Sequence, residues 1–418
     1  MKKLILISVI AISLPLILLL PKTNFAFHSG GVAECEGCHS MHSPASGSFL
    51  LVGGDQSSTC LTCHDGPTLS SYHVSSNAAT TPANMTPGGD FSWLKKTYTA
   101  TGVNEPGRTH GHNIVAADLG YVADDNNLTA PGGTFVSTQL GCSSCHDPHG
   151  KYRRLQTGAV ARSGAPIKAS GSYDNVTANE PTATEAVGAY RLLAGSGYST
   201  TASGVIGYPG VPAAKAPGTY NRSEAAQQTR VAYGVSTAAG HTTWSNWCAT
   251  CHPGMHTTGG NTVHPVDQGL GSRIATLYNQ YVKSGDMTGT IANSFSSLAP
   301  FATNSGSYTV LAGLAKNDGT ALGGPGSGDK VMCLSCHRAH ASGFVEMLRF
   351  DQGYEFMTKG GQYLGSDSPD MMGLPFERVS RLSRGRTNAE WQRAYYERPA
   401  STWATYQRVL CNKCHAKD

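Results

Sequence analysis

The sequence contains one pentapeptide pattern, Cys-x-x-Cys-His, six times, and all twelve of its cysteines belong to this pattern. The cysteine pairs are Cys35 and Cys38, Cys60 and Cys63, Cys142 and Cys145, Cys248 and Cys251, Cys333 and Cys336, and Cys411 and Cys414. The histidines that complete the six copies are His39, His64, His146, His252, His337 and His415. In such a motif the two thiols bind the vinyl groups of a haem covalently, and the histidine ligates its iron. The pattern therefore predicts six covalently attached c-type haems.

Two other kinds of site also use Cys-x-x-Cys pairs, namely zinc ribbons and thiol-disulfide centres. Neither of them requires a histidine directly after the second cysteine. Here a histidine stands at that position in all six copies, which favours haem attachment over both alternatives.

The N-terminus has the features of a signal peptide. Lys2 and Lys3 precede an apolar run from Leu4 to Leu20, and residues 21–26 form a polar exit that ends in a small residue. We therefore expect residues 1–26 to be removed and residues 27–418 to form a single hexahaem domain. A membrane anchor is the alternative, although the apolar run is near the lower limit for a spanning helix. No later stretch approaches about 18 apolar residues, so no membrane span is expected in the mature chain.

The composition indicates how such a chain can fold. Only 39% of the residues are hydrophobic and 50 of the 418 are glycine, which is little material for a conventional core. Haems are large apolar plates that supply buried surface of their own. We therefore expect a multihaem cytochrome c fold that is mostly coil, with short α-helices and very little β-structure, wrapped around a row of six stacked haems. Glycine- and serine-rich intervals could instead link small haem domains, but ligands shared between haems would cross such boundaries.

Few segments carry a helical pattern. Ile274, Leu277, Tyr278 and Tyr281 follow the helical period, and Thr387 with Glu390 resembles a capping box. A final helix is expected from about Ser401 into Cys411.

The histidines outside the motifs are candidates for the second axial position of each iron. Removing the six motif histidines from sixteen leaves ten. Two imidazoles on every iron would leave no position for a substrate, which favours electron transfer over catalysis. Methionine could replace histidine, but no dedicated set of methionines is present. The predicted distal ligands are His28, His42, His73, His112, His149, His256, His264 and His340, whereas His110 and His241 are predicted to be surface residues.

Three of these histidines follow their motif histidine by three residues, which places both on the same side of a helical turn. Such a residue cannot reach the opposite face of its own porphyrin. We therefore expect His42, His149 and His340 each to ligate a different haem and to bring two haems close together.

Charge and motif placement limit the partners. The 31 basic and 27 acidic residues leave no surplus for nucleic-acid binding. The first motif lies near the mature N-terminus and the last ends three residues before Asp418. A row of haems could therefore continue into a second copy and form a filament. A monomeric shuttle with two exposed terminal haems fits the spacing equally well.

The segments Phe27–His39, Gly111–Val115, Cys142–Arg154, Cys333–Phe344 and Cys411–Asp418 resemble the OmcS-like family of hexahaem outer-surface c-type cytochromes of metal-reducing bacteria. This resemblance implies a secreted cytochrome that polymerises into a conductive nanowire on the outer cell surface. It implies electron transfer from upstream partners to external acceptors such as metal oxides. It also implies that His42 ligates the haem of Cys333, Cys336 and His337 in the adjacent subunit.

Two other functions are open at this point, a multihaem reductase and a soluble periplasmic electron carrier. A reductase needs one iron with a vacant position and nearby acid–base groups. Since all six motif histidines are present and distal candidates outnumber the irons, we expect an electron-transfer protein and not an enzyme.

Overall fold

The computed structural model describes residues 35–47, 49–66, 73–76, 82, 85–149, 153–154, 167–170, 186–188, 192–195, 198, 208, 212–217, 224, 228–235, 243–256, 265–368 and 375–415. All six motifs lie within these ranges, whereas residues 1–26, His28, His241 and His264 lie outside them. Within the described part of the chain, no helix has the length and apolar character needed to cross a bilayer.

The helices are short, and many of them are built around the haem motifs. Six of the eleven α-helices in the described ranges contain motif cysteines, and the longest has ten residues. The α-helices span Cys35–Cys38, Gln56–His64, Cys142–Cys145, Trp244–Cys248, Pro253–His256, Gly271–Gln280, Tyr308–Leu314, Cys333–Cys336, Phe376–Leu382, Asn388–Ala394 and Asn412–His415. Turns of 3-10 helix span Phe91–Lys95, Gly107–His110, Ala117–Leu119, Ser137–Gln139, Val345–Met347 and Ala400–Thr402.

The β-structure consists of strands of two to four residues. Antiparallel pairs join Tyr98–Ala100 to Val103–Glu105, Ala214–Lys215 to Ala232–Tyr233, and Thr358–Lys359 to Gln362–Tyr363. In a three-stranded sheet, Ala186–Gly188 lies between antiparallel Arg153–Arg154 and parallel Ile167–Ser170. Such short pairings fasten loops to one another and do not form a layer.

The buried apolar residues form several separate clusters, and three of these pack against motif cysteines. The largest contains a stack of aromatic rings in which the centroids of Tyr363 and Tyr395 are 5.5 Å apart. Cys336 packs against this cluster, Cys142 against a second and Cys251 against a third. The core is therefore distributed along the motifs, and the predicted fold class is confirmed.

Two helix predictions are confirmed and one is wrong. The helical period around Leu277 corresponds to the helix Gly271–Gln280, and Thr387 and Glu390 form the predicted capping box. The helix expected from Ser401 into Cys411 is absent, and only Ala400–Thr402 and Asn412–His415 are helical there. The intervening residues pair instead with an extended segment, since Met357 N donates to Gln407 O and Val409 N to Glu355 O.

Candidate haem-binding sites

Each motif folds as a turn of helix that brings its reactive groups together. In five motifs the histidine N–H donates to the carbonyl of the first cysteine, and the second motif lies within the helix Gln56–His64. These five bonds are His39 to Cys35 at 2.7 Å, His146 to Cys142 at 3.0 Å, His252 to Cys248 at 3.1 Å, His337 to Cys333 at 2.9 Å and His415 to Cys411 at 3.1 Å. Residues three and four apart share one face of a helix, so both sulfurs and the imidazole can serve one haem.

Several histidines are oriented as metal ligands are. The Nδ1 atom of His39 lies 2.8 Å from Phe49 O, that of His252 2.9 Å from Pro131 O, and that of His337 2.7 Å from Glu346 O. A bond from Nδ1–H to a carbonyl fixes the ring and leaves Nε2 available for a metal. The twelve cysteines form no disulfide. These residues fit covalently bound haem.

Two pairs of imidazoles lie at the spacing that one shared iron would require. The ring centroids of His112 and His252 are 6.0 Å apart, and those of His146 and His340 are 6.4 Å apart. Two imidazoles on opposite sides of one metal would have ring centres about 6 Å apart, because each metal–nitrogen bond is about 2 Å long and each ring centre lies about 1 Å beyond its nitrogen. Burial lowers the pKa of His112 to about 4, which keeps its imidazole in the neutral form that ligates metals.

Two pairs of successive motifs are joined directly, the second to the third and the fourth to the fifth, and we call these the tight junctions. The cysteines at these junctions influence one another. Cys142 raises the pKa of Cys60 and Cys333 raises that of Cys248, whereas the pKa values of Cys142 and Cys333 are lowered.

The same type of hydrogen bond joins the two motifs at each tight junction, and the sequence analysis did not predict it. Ser57 Oγ accepts from Cys142 N at 3.1 Å, and Ser245 Oγ accepts from Cys333 N at 3.0 Å. Ser57 stands three residues before Cys60, and Ser245 stands three residues before Cys248. A serine three residues before the first cysteine of a motif was the sequence signal that could have predicted a bond to the next motif.

The remaining predicted ligands differ in their surroundings. His42 and His149 are exposed, and Nε2 of His73 is buried without a hydrogen-bond partner among the described residues. His42 lies beside exposed apolar side chains, since Met41 is 79% exposed and Phe49 is 45% exposed. Cys35 and Cys411, the first cysteines of the first and last motifs, are the two exposed cysteines.

His256 does not fit the predicted role of a distal ligand. Its Nε2 lies 2.6 Å from Asp267 Oδ2 and 3.4 Å from Asn246 Nδ2. This carboxylate occupies the ring nitrogen that an iron would need, so we remove His256 from the ligand set. His256 follows its motif histidine by only four residues, and it contacts the chain next to its own motif.

We expect His256→Ala to leave all six haems attached and all irons low spin, because Asp267 and not an iron holds this imidazole. Electron paramagnetic resonance of the oxidised protein measures the spin state. The appearance of a high-spin iron in this variant would return His256 to the ligand set.

The prediction that His110 is a surface residue is wrong. Its side chain is fully buried, and its Nε2 lies 2.9 Å from Glu105 Oε1. Arg384 and Arg386 bind the same carboxylate. Burial alone would raise the pKa of Glu105, but the hydrogen bond from His110 and the charge of Arg386 outweigh burial and lower it. His110 is buried because its partners come from segments distant in sequence.

A second buried carboxylate, Glu224, lies among three buried arginines near the fifth motif. Arg338, which follows His337, donates from Nη1 to Glu224 Oε2 at 2.9 Å, and Arg349 Nη1 donates to the same oxygen at 3.2 Å. Arg398 Nη2 donates to the Glu224 carbonyl at 3.3 Å. Two guanidinium groups thus share one carboxylate in the interior, and a third binds the backbone of the same residue.

Six one-turn attachment sites along one chain define a multihaem c-type cytochrome. No protein-family model matches the chain. The chain is 51% identical to the C-type cytochrome OmcS of Geobacter sulfurreducens, over 94% of this chain and 95% of OmcS.

The fold is also similar to solved structures from the same organism. The cryo-EM structure of the OmcS nanowires superimposes with a TM-score of 0.81 and 51% identity, and it covers 94% of this chain and 100% of that one. The outer membrane cytochrome S filament gives the same TM-score and coverage at 49% identity. The chain therefore belongs to the OmcS family of c-type cytochromes and binds its haems covalently.

Proposed function

We propose that this chain transfers electrons outside the cell as a secreted cytochrome that polymerises head to tail into a conductive filament. The observation that supports this most strongly is the direct bonding between neighbouring motifs, through Ser57 with Cys142 and through Ser245 with Cys333. Haem attachment sites that are held this close give electrons a route from one haem to the next.

Each haem, when bound, supplies an iron that accepts or releases one electron. The protein holds neighbouring attachment points together through Ser57 and Ser245, which bind the backbone of the next motif. Imidazole pairs such as His146 and His340 would hold an iron between them and would leave it no position for a reactant. The chain supplies position and environment for the haems. Its similarity to the C-type cytochrome OmcS supports an electron-transfer protein and not an enzyme.

We assign the cysteines and histidines of the six motifs to haem attachment and proximal ligation. His112 is assigned to the haem of His252, and His340 to the haem of His146, because these rings lie at the spacing of one shared iron. His28, His42, His73, His149 and His264 remain the candidates for the other four irons, so one of them is surplus. Residues 1–26 are proposed to be a signal peptide and residues 27–418 one haem domain.

Contact between copies of the chain is supported by the exposed cysteines of the first and last motifs and by exposed apolar side chains near the first. The two exposed cysteines, Cys35 and Cys411, belong to the end motifs, whereas the inner motif cysteines are partly covered. Met41 and Phe49 add exposed apolar surface beside His42, and such surface marks contact sites. We assign His42 to the haem of Cys333, Cys336 and His337 in the adjacent subunit.

The proposed site of action is the outer cell surface, with external acceptors such as metal oxides and with upstream electron donors. Two structurally similar cytochromes are described as nanowires and as a filament. A soluble periplasmic carrier and a multihaem reductase are the alternatives, and this likeness favours neither of them.

Electron microscopy of the purified holoprotein tests the proposal. We expect filaments one subunit wide whose irons are all low spin and do not respond to cyanide or nitrite. Small particles at every concentration would identify a carrier, and a high-spin component that binds nitrite would identify a reductase.

A further inference from the structure

The segments that carry His112 and His340 are joined by hydrogen bonds into one backbone clamp. His112 N donates to His340 O at 2.9 Å, and His112 Nδ1 lies 2.7 Å from Ala339 O. Ser342 N donates to His110 O at 3.0 Å. The orientation of the His112 ring therefore depends directly on the segment that carries His340.

Glycines allow the two segments to approach this closely. A Cβ atom on Gly111 would lie 2.4 Å from His340 O, and one on Gly88 would lie 2.8 Å from His340 Nδ1. His340 N also donates to Gly88 O at 2.7 Å, and the His340 ring stacks on Phe91 with centroids 4.6 Å apart. The position of the His340 imidazole is thus set on both sides by fixed backbone and by an aromatic ring.

The side chain of His110 ties this clamp to the interior of the protein. It is fully buried and bonded to Glu105, which in turn binds Arg386, and Arg386 also donates to the Gly343 carbonyl. The anchor therefore reaches both segments of the clamp, one through the His110 backbone and the other through Gly343. The predicted distal ligands of two different haems share a single support.

We propose that His110, held by Glu105, is a positioning residue that orients His112 and His340 together, so that the third and fourth haems are ligated as one unit. This proposal rests on the proposed function only for the roles of His112 and His340 as distal ligands. Loss of a residue that only fills the core would lower stability and would not change the ligation of two particular irons among the six.

Removal of each ligand in the holoprotein gives the reference signals. His112→Ala and His340→Ala are each expected to convert one of the six irons from low spin to high spin in the electron paramagnetic resonance spectrum of the oxidised protein. If neither variant does so, the ligand assignments are wrong, and the role of His110 is overturned with them.

His110→Ala is expected to keep six attached haems and to shift the low-spin signals of two irons, the same two that the ligand variants identify. Glu105→Gln keeps the size of the side chain, removes its charge and is expected to shift the same two signals. His110→Gln can still donate to Glu105 and is expected to return them toward their original positions.

The matched control is Leu311→Ala. Leu311 is fully buried in a cluster without motif residues, so its loss is expected to lower the melting temperature and to leave every iron signal unchanged. If the ligand variants behave as expected but His110→Ala shifts no signal, only one, or all six, the role of His110 is overturned and the ligand assignments stand.

Discussion

Replacing His42 by alanine is expected to abolish long filaments while leaving six covalently attached haems on each chain. His42 is exposed in the single subunit and is assigned to the haem of Cys333, Cys336 and His337 in the next one. Its loss removes the ligand that crosses the junction between subunits, so one iron per chain becomes five-coordinate. Electron microscopy measures filament length, and electron paramagnetic resonance counts the high-spin irons.

His256→Ala is the matched control for this experiment, because it removes another histidine that closely follows a motif but that Asp267 holds within the subunit. This control is expected to form filaments of normal length. Filaments of normal length from His42→Ala, with every iron still low spin, would contradict the assignment of His42.

Glu224→Gln is expected to destabilise the subunit by about 3–5 kcal/mol, the usual cost of removing one partner from a buried ion pair. Glu224 is the carboxylate that Arg338 and Arg349 share, and the backbone of the same residue binds Arg398. Neutralising it leaves three buried guanidinium groups that repel one another. Since a domain is stable by only about 5–15 kcal/mol, the effect is large. The midpoint of thermal unfolding, followed by circular dichroism in the haem absorption band, measures it.

Asp125→Asn provides the control, since it removes the same charge from an exposed ion pair with Arg108 at 3.2 Å. Exposed pairs contribute about 0–1 kcal/mol, so little change is expected. Equal unfolding midpoints for the Glu224 and Asp125 variants would show that the Glu224 carboxylate does not offset the positive charge of the buried arginines.

The attachment sites could be predicted from the sequence because each consists of five consecutive residues whose geometry a single helical turn determines. The same holds for the capping box of Thr387 and Glu390, which spans four residues. The fold class followed from the number of haems and the scarcity of apolar residues. In each case the deciding interactions lie within one short segment or depend on composition alone.

The buried charges could not be predicted, because their partners are remote in the sequence. Glu105 and Arg386 are 281 positions apart, and Glu224 and Arg349 are 125 apart. Nothing near His110 distinguishes it from an exposed histidine. Which imidazole lies near which motif histidine is equally non-local, since His112 and His252 come together only in the folded chain.

The serine bonds between neighbouring motifs end on backbone atoms. Ser57 accepts from the backbone N–H of Cys142, and Ser245 accepts from that of Cys333. The sulfur of each cysteine takes no part in these bonds and stays available for a thioether bond. The spacing between the two motifs of such a pair is therefore expected to persist when both haems are attached.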